Sequence, residues 1–160
     1  MAVWRTVNPS QVRRGFSLVE LMMVAAIISV MAAIAAPRYA SALASYRADA
    51  AARRIVADLA LAQGRAKAQS TTLTVDFDPP AGKYAITGMA DPDRPASAYT
   101  VDLRAEPYRA ALDQAAFGQG TKVNFDGYGI PNKGGTIILH VGSYSKTITV
   151  DVYTGAAKIQ

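Results

Sequence analysis

The sequence predicts an α+β protein, one long N-terminal helix packed on an antiparallel β-sheet domain. Three observations carry this reading. An apolar run from Phe16 to Ala36 holds a single ionisable group, Glu20. Beyond it, apolar residues continue to recur at spacings of three and four as far as Gln69. After Ser70 the period changes to two, and clusters of Gly, Pro and Asp separate the segments.

The apolar run has 21 residues. At about 1.5 Å per residue it matches the roughly 30 Å hydrocarbon core of a bilayer. Arg13 and Arg14 precede it and favour a cytoplasmic N-terminus, while Arg38 just after it keeps the bias modest. Small residues recur four apart at Ala25, Ser29 and Ala33, and at Ala32 and Ala36, a spacing that lets helices approach closely in a membrane. Pro37 removes one backbone donor and is expected to bend the helix rather than end it. A stripe then follows: Tyr39, Leu43 and Tyr46, then Ile55, Leu59, Ala62 and Ala66, with Ala48, Ala51 and Ala52 between. Arg47, Arg53, Arg54, Asp58 and Arg65 are assigned mostly off it. The segments are therefore a membrane half, 16–36, and an amphipathic half, 37–70, of one helix about 80 Å long, with Gly64 as its weak point.

The β-rich domain, 71–160, follows in order. Leu73, Val75 and Phe77 alternate with polar neighbours, Pro79 to Gly82 turns the chain, and Lys83 to Thr87 returns. Gly88 to Ala98 reads as a loop, Tyr99 to Leu103 as a strand, Glu106 to Phe117 as a short helix and Val123 to Phe125 as a short strand. Asp126 to Gly135 is a glycine-rich turn region. Ile137, Leu139 and Val141 share one face of a strand. Gly142-Ser143 turns the chain, and Ile148, Val150 and Val152 share a face of the returning strand. Thr154-Gly155 turns again before a last strand at Ala157 to Ile159.

Composition narrows the function classes. The 160 residues include no cysteine, which excludes disulfides and thiolate metal sites. The formal charge of +5 is spread out: from Arg38 onward 14 Lys/Arg stand against 11 Asp/Glu, a net +3 with no basic cluster, so the charge pattern argues against a nucleic-acid partner.

Glu20 is the residue that a plain membrane anchor leaves unexplained, since an ionised group costs about 2.5–3.5 kcal/mol at mid-membrane. A secretory signal peptide cleaved at Ala33-Ile34-Ala35 is an alternative, but the run is long for one and Glu20 lies in its first turns. The third possibility is that Glu20 has a partner. Gly15-Phe16-Ser17-Leu18-Val19-Glu20 resembles the processing site of type IV pilins and type II secretion pseudopilins. The resemblance implies a pilin-like fold and a removed leader, 1–15. A prepilin peptidase would cleave between Gly15 and Phe16 and N-methylate Phe16. Pro37 also matches the family, whose long helix often carries a proline. The resemblance implies that the Glu20 carboxylate meets the N-terminal amine of a neighbouring subunit, which removes part of the cost of a charge in lipid.

Arg53 to Thr87 is similar to the post-anchor region of the GspH/FimT branch, and Asn124 to Gly127 with Thr136 to Lys158 resembles its C-terminal strands. The stretch Gly88 to Gly120 lies outside the resemblance. The lack of cysteine departs from many major pilins, and nothing matches the calcium loop of the major pseudopilin. The resemblance implies a minor pseudopilin, a non-enzymatic subunit of a pilus-like fibre. Its partners would be other pseudopilins, the peptidase and an inner-membrane assembly platform, and its β domain would lie in the periplasm. The alternatives are a minor pilin of a type IV pilus, with DNA uptake as one role, and a Sec-exported β domain that binds a small ligand.

No catalytic, cofactor or metal site is assigned. His140, the only histidine, should face opposite Ile137 and Leu139 as a structural or surface residue. Asp76 and Asp78 flank Phe77 on the polar face of a strand and read as solvent contacts. Asp91-Pro-Asp93 and Asp126-Gly-Tyr-Gly129 lack the ligand spacing of a calcium loop and read as turn chemistry. The cluster of Gly127, Gly129, Gly134 and Gly135 lacks the lysine-serine ending of a phosphate loop. Tyr128, Tyr144 and Tyr153 are candidates for a partner surface or for packing.

Overall fold

A computed structural model of the chain describes residues 15–91 and 95–160. Most of the expected leader, with Arg13 and Arg14, and also Asp93 lie outside the described residues. The chain divides into two compact units, Met1–Tyr39 and Ala40–Gln160, and helix α1 (Leu18–Gln69) contributes to both.

In the first unit every described residue is exposed. The stretch has the length and mean hydropathy, 2.5, of a membrane span. Ser29 donates its hydroxyl hydrogen to the Ala25 carbonyl at 2.7 Å, which satisfies that polar group within the helix itself.

In the second unit α1 buries Ala48, Ala51, Ala52, Ile55, Leu59, Ala62 and Ala66, the later part of the expected stripe. Its early part is corrected, because Tyr39 and Tyr46 are both 73% exposed. The cause is helical phase. Tyr46 precedes Ile55 by nine residues, which at about 100° each places it on the opposite side of the helix.

Eight strands form two antiparallel four-stranded sheets. They are β1 (Leu73–Asp78), β2 (Lys83–Ala90), β3 (Ala98–Asp102), β4 (Ala111–Ala116), β5 (Lys122–Phe125), β6 (Gly135–Val141), β7 (Tyr144–Val150) and β8 (Ala157–Ile159). One sheet has the order β3-β2-β1-β5 and the other β4-β6-β7-β8. The chain leaves the first sheet for β4, returns for β5 and leaves again for β6, so neither sheet is complete without the other. A single hydrophobic cluster joins both sheets to α1. Phe117 helps to join them, with its ring stacked on Phe77 at 5.7 Å. Gly135 explains how Phe117 fits: a Cβ there would lie 2.2 Å from the Phe117 ring and 2.5 Å from the Ala116 carbonyl.

Three expectations are corrected here. β2 runs past Thr87 to Ala90, with Gly88 at φ +87° where the pairing with β3 shifts register. The short helix expected over 106–117 is a turn followed by β4. Its alanine content favours helix locally, but pairing with β6 buries Leu112 and Ala115 and outweighs propensity. Val152 lies beyond the end of β7 and is exposed. Asp151 Oδ1 accepts hydrogen bonds from the backbone N–H groups of Tyr153 and Thr154, and this turns the chain away.

Candidate processing and assembly site

Gly15, Phe16 and Ser17 precede α1 outside any regular element, and Phe16 is 82% exposed. The Ser17 carbonyl accepts the first helical hydrogen bond, from Leu21 N–H at 3.1 Å, so Ser17 occupies the N-cap position. A Cβ on Gly15 would meet nothing within 4 Å, so packing within the fold does not require glycine there. Glu20 lies in the first turn of α1, where the positive end of the helix dipole favours a carboxylate. It is exposed, and no described residue pairs with it. Pro37 sits inside α1, which continues through it, and the proline leaves the Ala33 carbonyl without its usual donor.

The other residues considered from sequence serve local structure. Asp76 Oδ2 pairs with Lys122 Nζ at 2.8 Å across β1 and β5. Asp78 Oδ1 accepts from Ala81 N–H at 3.0 Å and shapes the following turn. Asp126 Oδ1 accepts from the N–H groups of Tyr128 and Ile130, at 2.9 and 2.8 Å, as turn chemistry does. Asp91 donates its N–H to the Ser97 carbonyl at 3.0 Å. His140 Nδ1 lies 2.7 Å from both carboxylate oxygens of Asp113, the residue left over at the bulge in β4. Among the described residues no group of three His, Asp or Glu is placed to hold a metal ion.

The three tyrosines separate. Tyr128 and Tyr153 are exposed on adjacent loops, which Gln63 holds together by donating to the carbonyls of Gly129 and Thr154 at 2.8 and 2.6 Å. Tyr144 packs against the core, and its hydroxyl meets Ser41 Oγ.

Sequence reasoning missed one cluster. Asp58, assigned off the stripe, is 5% exposed and is the buried charged residue of the domain's described core. Tyr84 donates to its Oδ2 at 2.5 Å and Tyr99 to its Oδ1 at 3.0 Å. Arg54 Nε also donates to Oδ2 at 3.0 Å, and its Nη2 reaches the Tyr99 hydroxyl at 2.5 Å. Burial pushes the Tyr84 and Tyr99 phenols up from their ordinary range, and the hydrogen bonds to Asp58 add to this. Partial burial opposes the Arg54 charge, but Asp58, and secondarily Tyr99, offset it and push the guanidinium pKa up. The signal was present in the spacing: Asp58 falls between Ile55 and Ala62, directly before Leu59. The four groups fasten α1 to β2 and β3.

The profile of the prokaryotic N-terminal methylation motif matches residues 11–36, the segment that contains Gly15, Phe16 and Glu20. The profile of the type II transport protein GspH matches residues 51–155, about two thirds of the chain. The chain belongs to the GspH family. As a GspH protein it is by family a minor pseudopilin, a structural subunit. No individually curated protein sequence matches this GspH chain. Among solved structures, the minor pseudopilin EpsH from the Type 2 Secretion System of Vibrio cholerae is similar. It is 13% identical, with 71% of this chain and 96% of that one covered and a TM-score of 0.53. This likeness supports a pilin-like α+β fold. The type IV minor pilin FimU of Pseudomonas aeruginosa aligns at a TM-score of 0.49 and 14% identity, covering 70% of this chain and 91% of that one. A second crystal form of FimU gives 0.48 and 16%, covering 71% and 86%.

Proposed function

We propose that this GspH chain is anchored in the bacterial inner membrane by residues 16–36 and enters the pilus-like fibre of type II secretion through α1. A prepilin peptidase removes residues 1–15 by cutting between Gly15 and Phe16, and methylates the new amine of Phe16. Residues 37–70 carry the helix onto the β domain, 71–160, which lies in the periplasm, and Pro37 kinks the helix between the two halves. Its partners are the other pseudopilins and an inner-membrane assembly platform.

The observation that carries this reading is the placement of Phe16 and Glu20. Both are exposed at the start of a helix that can span a membrane, within the matched methylation motif. Cleavage after Gly15 creates a cation on Phe16. The Glu20 carboxylate, without a partner among the described residues, gains one when the Phe16 amine of a neighbouring subunit docks against it. Part of the cost of holding a charge in lipid is thereby removed only in the assembled fibre. The role is electrostatic docking, with no proton transfer.

Mass spectrometry of the chain isolated from its membrane tests the reading. The expected N-terminus is a methylated Phe16. A chain that begins at Met1, or at Ala36, overturns it.

A further inference from the structure

We propose that the free edge of β3 is a docking strand for a second copy of this chain, with the two β3 strands pairing antiparallel about a two-fold axis at Thr100. Both sides of the contact lie in the Ala40–Gln160 unit, and the inference uses nothing about the anchor.

Among the described residues the two sheets end in four edges, and three of them are protected. On the open side of β5, Pro131 bridges Phe125. Asn132 also donates its N–H to the Asn124 carbonyl at 2.8 Å, and its side-chain oxygen accepts from Asn124 N–H at 3.0 Å. β4 is broken by the bulge at Asp113. β8 has three residues, with Lys158 at their centre. β3 has none of these devices. It pairs with β2 in continuous register from Tyr99 to Asp102 and holds no proline, lysine or arginine.

The pairing with β2 fixes which main-chain groups face outward. Leu103 donates its N–H to the Gly82 carbonyl at 2.9 Å, so its main chain points toward β2. Antiparallel pairs alternate, so Val101 and Tyr99 also bond β2, while the N–H and C=O groups of Thr100 and Asp102 point away from it. No described group bonds these outward donors and acceptors. Groups at this spacing are satisfied along their length by another extended strand.

A copy of β3 supplies a match in one register. Thr100 stands opposite the copy's Thr100, and the two exchange both main-chain hydrogen bonds. Tyr99 then falls beside the copy's Val101 on the core face. This pair of an aromatic and a β-branched side chain extends the apolar cluster across the axis. Asp102 falls beside the copy's Ala98, so like charges do not meet. Asp102 is also matched by Lys83 at 3.2 Å, and Arg54, 6.0 Å from the Tyr99 ring centre, by Asp58 at 3.0 Å. Arg104, just past the strand, lies at opposite ends of the pairing in the two copies. The charges along the edge therefore leave the approach of a copy unopposed, and pairing doubles the four-stranded sheet.

The absence of native cysteine allows a direct test on the full chain in detergent. In this register the two Thr100 Cα atoms lie about 5.5 Å apart, a separation that a disulfide spans. Thr100→Cys is expected to form a disulfide-linked dimer under mild oxidation, whereas Lys158→Cys, exposed on the edge of β8, is expected to stay unlinked. Equal linking at the two positions, or none at 100, overturns the proposal. Sedimentation of the cysteine-free chain is the second measurement. The native chain is expected to sediment as a dimer. Thr100→Lys, which sets two like charges at the axis, is expected to raise the dissociation constant at least about ten-fold. Thr100→Ser, at the same exposed position, is expected to dimerise as the native chain does. A chain that stays monomeric, or a dimer that Thr100→Lys leaves unchanged because the anchor or another surface holds it, overturns the proposal.

Discussion

Tyr84 donates its phenol hydrogen to Asp58 Oδ2 at 2.5 Å, and this bond ties β2 to the buried face of α1. Both residues are almost wholly removed from water. A buried carboxylate is tolerated only while its lone pairs are occupied, and here two phenols and a guanidinium occupy them. The cluster therefore joins the helix to β2 and β3 through hydrogen bonds at one buried carboxylate.

Removal of one partner is expected to be costly. Tyr84→Phe leaves an Asp58 lone pair without a donor and is expected to lower unfolding stability by about 1.5–3 kcal/mol. Asp58→Ala strands two phenols and is expected to cost about 2–4 kcal/mol, a figure held down because Arg54 remains partly exposed. Urea midpoints at neutral pH check both values. Midpoints unchanged within error would contradict the described contacts.

The same phenol predicts an alkaline limit. Burial raises the folded-state pKa of Tyr84 above its unfolded value of about 10. The contribution of the protonated phenol is thus fully present below about pH 10 and declines as pH rises beyond it. Stability of the native chain is expected to fall above pH 10, and Tyr84→Phe is expected to flatten that fall. Equal slopes for the two proteins in urea titrations would refute the assignment.

Asp151 behaves in the opposite sense. Hydrogen bonds from the backbone and hydroxyl of Thr154, and from Tyr153 N–H, hold its carboxyl below the ordinary range. Its contribution is present above the unfolded value of about 3.9 and is lost as pH falls through the lower folded value. The carboxyl chemical shift should titrate below that of a free aspartate, and Thr154→Val should move the midpoint upward.

Two glycines are expected to respond in opposite directions. Gly135→Ala drives a methyl into the Phe117 ring and the Ala116 carbonyl, and is expected to destabilise by about 1–3 kcal/mol. Gly64 lies inside α1, where an added methyl would meet nothing within 4 Å, so Gly64→Ala is expected to stabilise by about 0.5–1 kcal/mol. Thermal or urea unfolding of the two variants should bracket the native chain.

Glu20→Ala is expected to leave cleavage after Gly15 intact and to reduce co-purification with the other pseudopilins. The processed mass and the yield of co-purified subunits are read from the same sample. Undiminished co-purification would count against an ion pair with the amine of Phe16.

Read by itself, the sequence determined much of what depends on local chemistry. The apolar run from Phe16 to Ala36, the acidic Glu20 within it, the Gly15-Phe16 junction and the change of period after Ser70 are all one-dimensional signals. So are the strands whose alternation is strict, such as Ile137 to Val141. What only the tertiary structure decided depends on partners distant in sequence. Glu106 to Phe117 has the composition of a helix, yet its second half becomes β4 because β6 offers it a pairing edge and a buried face. The division of the strands into two sheets follows from β5 returning to β1, a crossover that no local pattern records. Asp58 looked solvated because it is charged; Tyr84 and Tyr99, 26 and 41 residues away, make its burial possible. Backbone periodicity is set by nearest neighbours, whereas a buried charge is stable only where the completed fold brings its donors to it.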